Sequence, residues 1–271
     1  MIGVISLNAT YGNAAALAEG LRHFTDVAAW FRYSDPKELY KQTNVSTKFP
    51  DCDSYIVVGA ISLGLLPKQC YNRKVTVIMT DSTYMNNPKK FNKIVSDNKW
   101  TMFAMPDLAK YSGTKNIYYQ PFIIPDVDKR KTELICHSPF CVQKEAQKGT
   151  SIIAGVCAKN GLPLTIIKGK LWDETIRIKA SHLICVDQLI RGIGKSGLEA
   201  MLLDCLVITG EKPNVKDLAP VVWTDVKNFN DDLLKMIFDK ELLKKTVEKQ
   251  RIWAKKNLNP EYVAGKIFEK I

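Results

Sequence analysis

Positions 2–7 are mainly apolar and β-branched. Beyond a polar turn at 8–13 the spacing changes, and Ala15, Leu17, Ala18, Leu21 and Phe24 recur at helical intervals. The first pattern suits a strand and the second the inner face of a helix, so the chain opens as a strand, turn and helix. Short apolar runs at 27–31, 55–58, 75–79, 101–104 and 117–119 predict further strands, and 88–96 predicts a helix. Brief apolar strands separated by turns or helices suit a parallel sheet covered on both faces.

Between 120 and 131 the sequence reads QPFIIPDVDKRK, which has no helical period and marks a crossing between domains. The pattern then restarts, with strands expected at 134–136, 164–167, 182–186, 206–209 and 221–223 and helices at 148–159, 173–179 and 198–203. The two halves are alike. They predict an α/β chain with one domain over 1–125 and a second over 126–271. The second domain includes the lysine-rich helical text beyond Asp225. In the closing NPEYVAGKIFEKI, Asn259 can cap and Pro260 can open a last helix.

At 271 residues, 46% hydrophobic and 25% charged, the chain has the balance of a soluble globular protein. Its first residues lack the basic and apolar regions of a signal peptide. The apolar run 55–66 is shorter than the roughly 20 residues that span a bilayer. Seven cysteines form no CxxC pair, and Cys157, Cys185 and Cys205 sit in apolar stretches. That arrangement suits a reducing cytoplasm and argues against structural zinc. With His23, His137 and His182 as the three histidines, a histidine-rich metal centre is also unexpected. The 39 Lys and Arg against 28 Asp and Glu leave a net charge of +11. Such a surplus draws nucleic acid, anionic lipid or a diphosphate, unless it only hydrates a lysine-rich surface.

The segment 192–201, GIGKSGLEAM, admits three readings. A Walker A loop needs a glycine five residues before Gly194, and Leu189 stands there, so that reading fails on spacing. A dinucleotide fingerprint fits Gly192, Gly194 and Gly197, with Glu211 near the offset of a ribose-binding acid, but it would follow two strand–helix pairs instead of opening them. In the third reading, Asp187 and Gln188 end a strand, glycines form the loop, and backbone N–H groups at a helix start converge on an anion. Arg191 and Lys195 add positive charge there, and Ser196 opens the helix; Glu199, placed in the first turn, can accept from ribose or sugar hydroxyls. The structural alternative is a glycine-rich turn with a solvated lysine and a capping glutamate.

Four pieces, in order, resemble the C-terminal half of GT-B glycosyltransferases. These are His137-Ser138-Pro139 at a strand end, Lys148-Gly149-Thr150 at a helix start, ASHLICVDQ over 180–188, and the G-x-G-x-x-x-LEAM run followed by LVIT. The resemblance covers about 134–210; in the first half it extends only to the opening SLNATYGNAAALAEGL. It implies two Rossmann-like domains facing across a cleft, the first for the acceptor and the second for a nucleotide-sugar donor. Carried over by position, it puts Lys148 and Lys195 beside the donor diphosphate and Glu199 on the ribose or sugar. His137, Asp187, Gln188, Arg191, Gly192, Gly194 and Ser196 then line the same pocket, and Glu199 and Lys148 are the catalytic candidates. Two positions depart from the pattern: Arg191 stands where many relatives have an acid, and Val142 where they often have arginine, with Gln143 and Lys144 next and Lys144 as a substitute.

The implied reaction moves a sugar from a nucleoside diphosphate to a hydroxyl. Lysines and amides aimed at the leaving diphosphate stabilise its growing charge. No DxD pair stands out, so neither a metal nor another cofactor is expected. Tyr11, Gly12 and Asn13, after the first strand, are the acceptor-side candidates, although Asn13 equally suits a helix cap. Asp51, Asp53 and Asp81 are candidate bases. The small size and the charge resemble bacteriophage DNA-base glycosyltransferases. For these the implied acceptor is a flipped hydroxymethylated base, with Lys68, Arg73, Lys74, Lys89, Lys90, Lys93 and Lys99, interleaved with Tyr71, Phe91 and Trp100, facing the duplex. Alternatives are a lipid-linked or polysaccharide acceptor at an anionic membrane, and a nucleotide-binding module without catalysis.

Overall fold

The computed structural model describes residues 1–8, 13–33, 49–80, 84, 86–106, 108–140, 145–146, 148–214 and 218–271. Among them the chain forms two compact units, Met1–Ile123 with Asn257–Ile271, and Ile124–Lys256. The first unit holds strands β1 (Ile2–Asn8), β2 (Val27–Tyr33), β3 (Ser54–Val58), β4 (Lys74–Met79) and β5 (Thr101–Ala104). Its helices are α1 (Asn13–Leu21), α2 (Pro88–Asp97) and the short α3 (Ala109–Ser112), with 3-10 turns over Ala60–Leu65 and Lys68–Asn72. The second unit holds β6 (Glu133–Phe140), β7 (Leu164–Lys168), β8 (His182–Val186), β9 (Leu206–Thr209) and β10 (Val222–Trp223). Its helices are α4 (Thr150–Lys159), α5 (Trp172–Ser181), α6 (Lys195–Leu202), α7 (Phe229–Phe238) and α8 (Lys240–Asn257), and α9 (Pro260–Phe268) follows.

Both sheets are parallel, in the orders β2-β1-β3-β4-β5 and β10-β9-β8-β6-β7. Read from its other edge, the second order repeats the first. Each is therefore an open doubly wound sheet whose strand order reverses beside its first strand. The central strands are buried, as a sheet covered on both faces requires, with every residue of β3 and β9 buried, while β7 and β10 at the edges are only partly so. In the second unit Ile135, Ile184, Val186, Leu206 and Ile208 pack with Ile153 and Cys157 of α4 and with Phe229, Leu233 and Met236 of α7. At β9, where β10 is too short to continue the ladder, the buried Gln250 amide pairs with both the N–H and the carbonyl of Val207 at 2.9 and 3.3 Å. The six described cysteines are all buried and unpaired.

Three expectations are corrected. Residues 117–119 form no strand, only an isolated bridge from Ile117 to Ala104, made by the Ala104 N–H donating to the Asn116 carbonyl and the Tyr118 N–H to the Ala104 carbonyl. Helix α6 starts at Lys195, three residues earlier than the expected Leu198. The last helix, expected with the second domain, belongs to the first unit, where α9 packs along α1. That packing depends on Gly20, since a Cβ there would lie 2.1 Å from the Pro260 carbonyl oxygen. Gly20→Ala is thus expected to lower stability by about 1–2 kcal/mol, because overpacking against backbone outweighs the gain in helix propensity. A urea melt that shows alanine stabilising the protein would contradict this docking.

Candidate functional site

Ligands of open α/β sheets bind at the carboxyl ends of strands where the strand order reverses. In the second unit that place is between β6 and β8. From β6 come His137 and Ser138, and directly after β8 come Asp187 and Gln188, all buried. Lys148, just before α4, reaches across this gap. Its ammonium donates to the Ser138 carbonyl at 2.8 Å and lies 3.7 Å from Asp187 Oδ1, with 15% of its side chain exposed. A lysine opposing the positive end of a helix is unfavourable unless anions or carbonyls hold it, and these two do.

The loop after β8 is built by side chains of its own first residues. Asp187 Oδ2 accepts from the Gly194 N–H at 2.6 Å, and Gln188 Nε2 donates to the Gly192 carbonyl at 2.9 Å. The Gln188 carbonyl accepts from Gly210 N–H at 2.7 Å, and the Leu189 N–H donates to the Lys148 carbonyl at 2.9 Å. Only glycine fits this closure: a Cβ at Gly194 would stand 2.4 Å from Gln188 Nε2, and one at Gly197 2.9 Å from Asp187 Oδ2. Asp187 and Gln188 thus hold the loop. They also aim the start of α6 at the strand ends.

Gly194 caps α6 without a side chain, so the amides of the first turn have no partner within the helix. Two buried polar atoms of this neighbourhood, Ser196 Oγ and Asp187 Oδ1, have no hydrogen-bond partner. Buried polar atoms are usually satisfied; the Ser196 hydroxyl at the helix N-terminus is a donor that an anion can engage, whereas Asp187 Oδ1 is an acceptor whose nearest cation is Lys148 at 3.7 Å. Lys195 stands at that terminus with 27% of its side chain exposed, 3.6 Å from Glu199 Oε1. Burial, with the Lys179 charge, outweighs the pull of Glu199 and brings its pKa down to about 8.

Glu199 lies five residues into α6, in the second turn and not the first, because the helix begins at Lys195. Its carboxylate is 3% exposed and accepts from Lys179 Nζ at 2.7 Å and from Trp172 Nε1 at 2.8 Å. Lys179, itself 1% exposed, also donates to the Ser196 carbonyl at 3.3 Å. Burial alone would raise the Glu199 pKa, but Lys179, Lys195 and these hydrogen bonds outweigh it and lower it. Burial alone would lower that of Lys179, and Glu199 outweighs it in turn and raises it. Both groups are ionised. Sequence reasoning missed Lys179 and Trp172. One signal was present: Lys179 falls on the buried stripe of α5 with Ile176 and Ala180, where the helical period calls for an apolar residue.

His137 is also fully committed. Its Nδ1 lies 2.8 Å from the Val186 carbonyl and must donate to it, so Nε2, 2.8 Å from Thr150 Oγ1, accepts from the hydroxyl. Burial and the nearby Lys148 lower its pKa, and the neutral ring ties β6 to β8 and α4. Arg191 is half-buried and Gly192 buried in the loop. On the acceptor side, Asn13 opens α1, while Tyr11, Gly12, Asp81, Val142, Gln143 and Lys144 lie outside the described residues. Asp51 and Asp53 precede β3, at the end of the sheet away from the carboxyl strand ends, and are not placed to act as bases. The proposed duplex face divides: Lys89, Lys90 and Lys93 are exposed on α2, but Phe91 and Trp100 are buried and Arg73 and Lys74 sit at the amino end of β4. Among the described residues, no three His, Cys, Asp or Glu side chains group as metal ligands. No described helix is long and apolar enough to cross a membrane.

No family model and no curated protein matches the sequence. Solved structures match over essentially the whole chain. Anabaena Alr3699/HepE in complex with UDP and glucose is 10% identical, covers 100% of this chain and 99% of its own, and superposes with a TM-score of 0.69. Sucrose-phosphate synthase from Thermosynechococcus elongatus is 11% identical over 99% of this chain and 98% of its own, with a TM-score of 0.62. The DNA-modifying enzyme β-glucosyltransferase, studied with and without uridine diphosphoglucose, is 13% identical over 99% and 98%, with a TM-score of 0.57. The α/β architecture of two parallel five-stranded sheets is the GT-B fold of these glycosyltransferases.

Proposed function

We propose that the chain transfers a sugar from a nucleoside diphosphate sugar to a hydroxyl, with UDP-sugar as donor and a hydroxymethylated base of DNA as acceptor. The carrying observation is the uncapped N-terminus of α6, bearing Lys195 and the unsatisfied Ser196 hydroxyl, at the reversal point of the second sheet beside Lys148. As the acceptor oxygen bonds to the anomeric carbon, the bond to the diphosphate breaks and its electron pair becomes charge on a phosphate oxygen. First-turn amides, Lys195 and Lys148 meet that charge, which grows toward the transition state and so is stabilised selectively. Glu199 and Lys179 hold the turn and Lys195 in place from beneath.

The DNA acceptor draws support from the +11 charge, from the exposed Lys89, Lys90 and Lys93 of α2, and from the end-to-end match with a DNA-modifying glucosyltransferase. In this reading the first unit contributes the acceptor surface, and the protein acts in a bacteriophage-infected cytoplasm, which suits six buried, unpaired cysteines. A panel of UDP-sugars is expected to raise the melting temperature, and one of them to label hydroxymethylated but not plain duplex DNA, with binding that weakens steeply with salt. Labelling of lipid-linked or polysaccharide acceptors instead would replace the acceptor assignment. Nucleotide binding with neither transfer nor hydrolysis would remove the enzymatic one.

A further inference from the structure

Lys195 and Glu199 stand four residues apart on α6, a spacing at which a lysine and a carboxylate close into an ion pair. Lys93 with Asp97 and Lys170 with Glu174 have the same order and spacing, and close to 3.0 and 2.6 Å although both are largely exposed. The pair on α6 stops at 3.6 Å. Burial should favour the closer contact, because attraction between charges strengthens as the dielectric falls. The carboxylate is held by other groups.

Those groups come from α5. Lys179 Nζ donates to Glu199 Oε2 at 2.7 Å, and Trp172 Nε1 donates to Oε1 at 2.8 Å. Lys179 is fixed in turn by burial and by its 3.3 Å hydrogen bond to the Ser196 carbonyl. Two ammoniums therefore share one carboxylate, and among these three groups one positive charge is in surplus. The Lys179 side chain is 1% exposed and that of Lys195 27%, so the surplus is presented at Lys195. There it opposes the positive end of the helix, an unfavourable placement that an arriving anion reverses.

We propose that Lys179 is a positioning residue for the donor diphosphate: with Trp172 it engages Glu199 from α5, so that the carboxylate does not neutralise Lys195 and the surplus charge faces the start of α6. The assignment rests on the nucleoside diphosphate reading of this site. Lys195 faces Glu199 on its own helix and Lys179 from α5. Asp187, after β8, meets the Gly194 N–H at the same helix start and has Lys148 as its own cation, while the thiols of Cys136 and Cys185 face Lys179 from β6 and β8. The Lys195 pKa of about 8 reflects this balance, lowered by burial and by Lys179 against the pull of Glu199.

Lys179→Met removes the competing ammonium and lets Glu199 close on Lys195. The Lys195 pKa, read by heteronuclear NMR of its side-chain amine in the ligand-free protein, is then expected to rise by about one pH unit. UDP affinity at pH 7 should fall by about tenfold, and the pH above which affinity declines should rise in step with the Lys195 pKa. Trp172→Phe keeps the Lys179–Glu199 pair and an aromatic ring while releasing Oε1. It should produce the same changes to a smaller extent, and it carries the test where Lys179→Met does not fold. A purely structural role for Lys179 and Trp172 would cost stability yet leave the Lys195 pKa and the onset of the decline as in the parent, which would overturn the proposal. A Lys195 pKa that rises in the variants of a protein that binds no UDP would instead remove the donor reading, and with it the use assigned to the charge.

Discussion

Glu199→Ala is expected to lower the stability of the second unit by about 3–5 kcal/mol, enough to unfold many domains of this size at moderate temperature. A sugar-binding glutamate in an open pocket could be removed at little structural expense. This one cannot, because the alanine variant would leave the Lys179 ammonium, 1% exposed, without its 2.7 Å partner and the Trp172 indole without an acceptor. Lys179→Met alone should also be damaging, since it leaves the buried carboxylate with only the Trp172 indole and the more distant Lys195. The double variant Lys179→Met with Glu199→Leu should recover most of the loss, because apolar residues of similar volume often replace a buried ion pair without penalty. Urea midpoints of the three variants at pH 7 test this. A Glu199→Ala protein as stable as the parent would mean the pair is not formed.

The pH dependence of the same pair has a defined sign. The Glu199 pKa is lowered from its ordinary 4.5, so its contribution is present above that value and lost as pH falls through the folded pKa. That of Lys179 is raised from 10.5, so its contribution is present below that value and lost as pH rises through the folded pKa. The stabilisation therefore holds across the neutral range and fades toward both extremes. In the double apolar variant both flanks of the stability profile should flatten.

Glu199 falls in the second turn of its helix and not in the expected first. Parallel strands covered on both faces announce themselves as short apolar runs, so all ten described strands lie where the hydrophobic pattern places them, and of the expected strands only 117–119 does not form. β2 and β6 run past their expected ends and β10 starts one residue late. The glycines of 192–197 read as loop, which pushed the helix start to Leu198 and put Glu199 in the first turn. In the folded chain Gly197 is helical, and its lack of a side chain answers to the Asp187 carboxylate, a partner ten residues away that no local pattern reveals. Lys179 was legible only as an anomaly, a charge on the apolar stripe of α5, and its partner comes from a different helix. The placement of α9 depends on Gly20 meeting Pro260, a contact between distant parts of the chain. Strand existence is local chemistry, whereas the direction a carboxylate faces and the unit a terminal helix joins are settled by tertiary packing.

Lys195→Ala is expected to lower transfer by about 10²-fold, mainly in kcat, and to change the pH dependence of nucleotide binding. The second effect separates a charge role from a structural one. With its pKa at about 8, the Lys195 side chain is protonated through most of the neutral range and begins to lose its proton just above it. A diphosphate at the start of α6 stabilises the protonated form and raises this pKa, so binding must take up part of a proton between pH 8 and the bound-state pKa. UDP affinity should then be flat below about pH 8 and fall by up to tenfold per pH unit above it. Titration calorimetry in two buffers of different ionisation enthalpy at pH 8.5 should register proton uptake in the parent. Lys195→Arg, charged throughout, should bind UDP with no such slope and no proton uptake, and Lys195→Ala should bind weakly at every pH. A parent whose UDP affinity is level from pH 7 to 9.5 would place the diphosphate away from Lys195 and, with it, away from the N-terminus of α6.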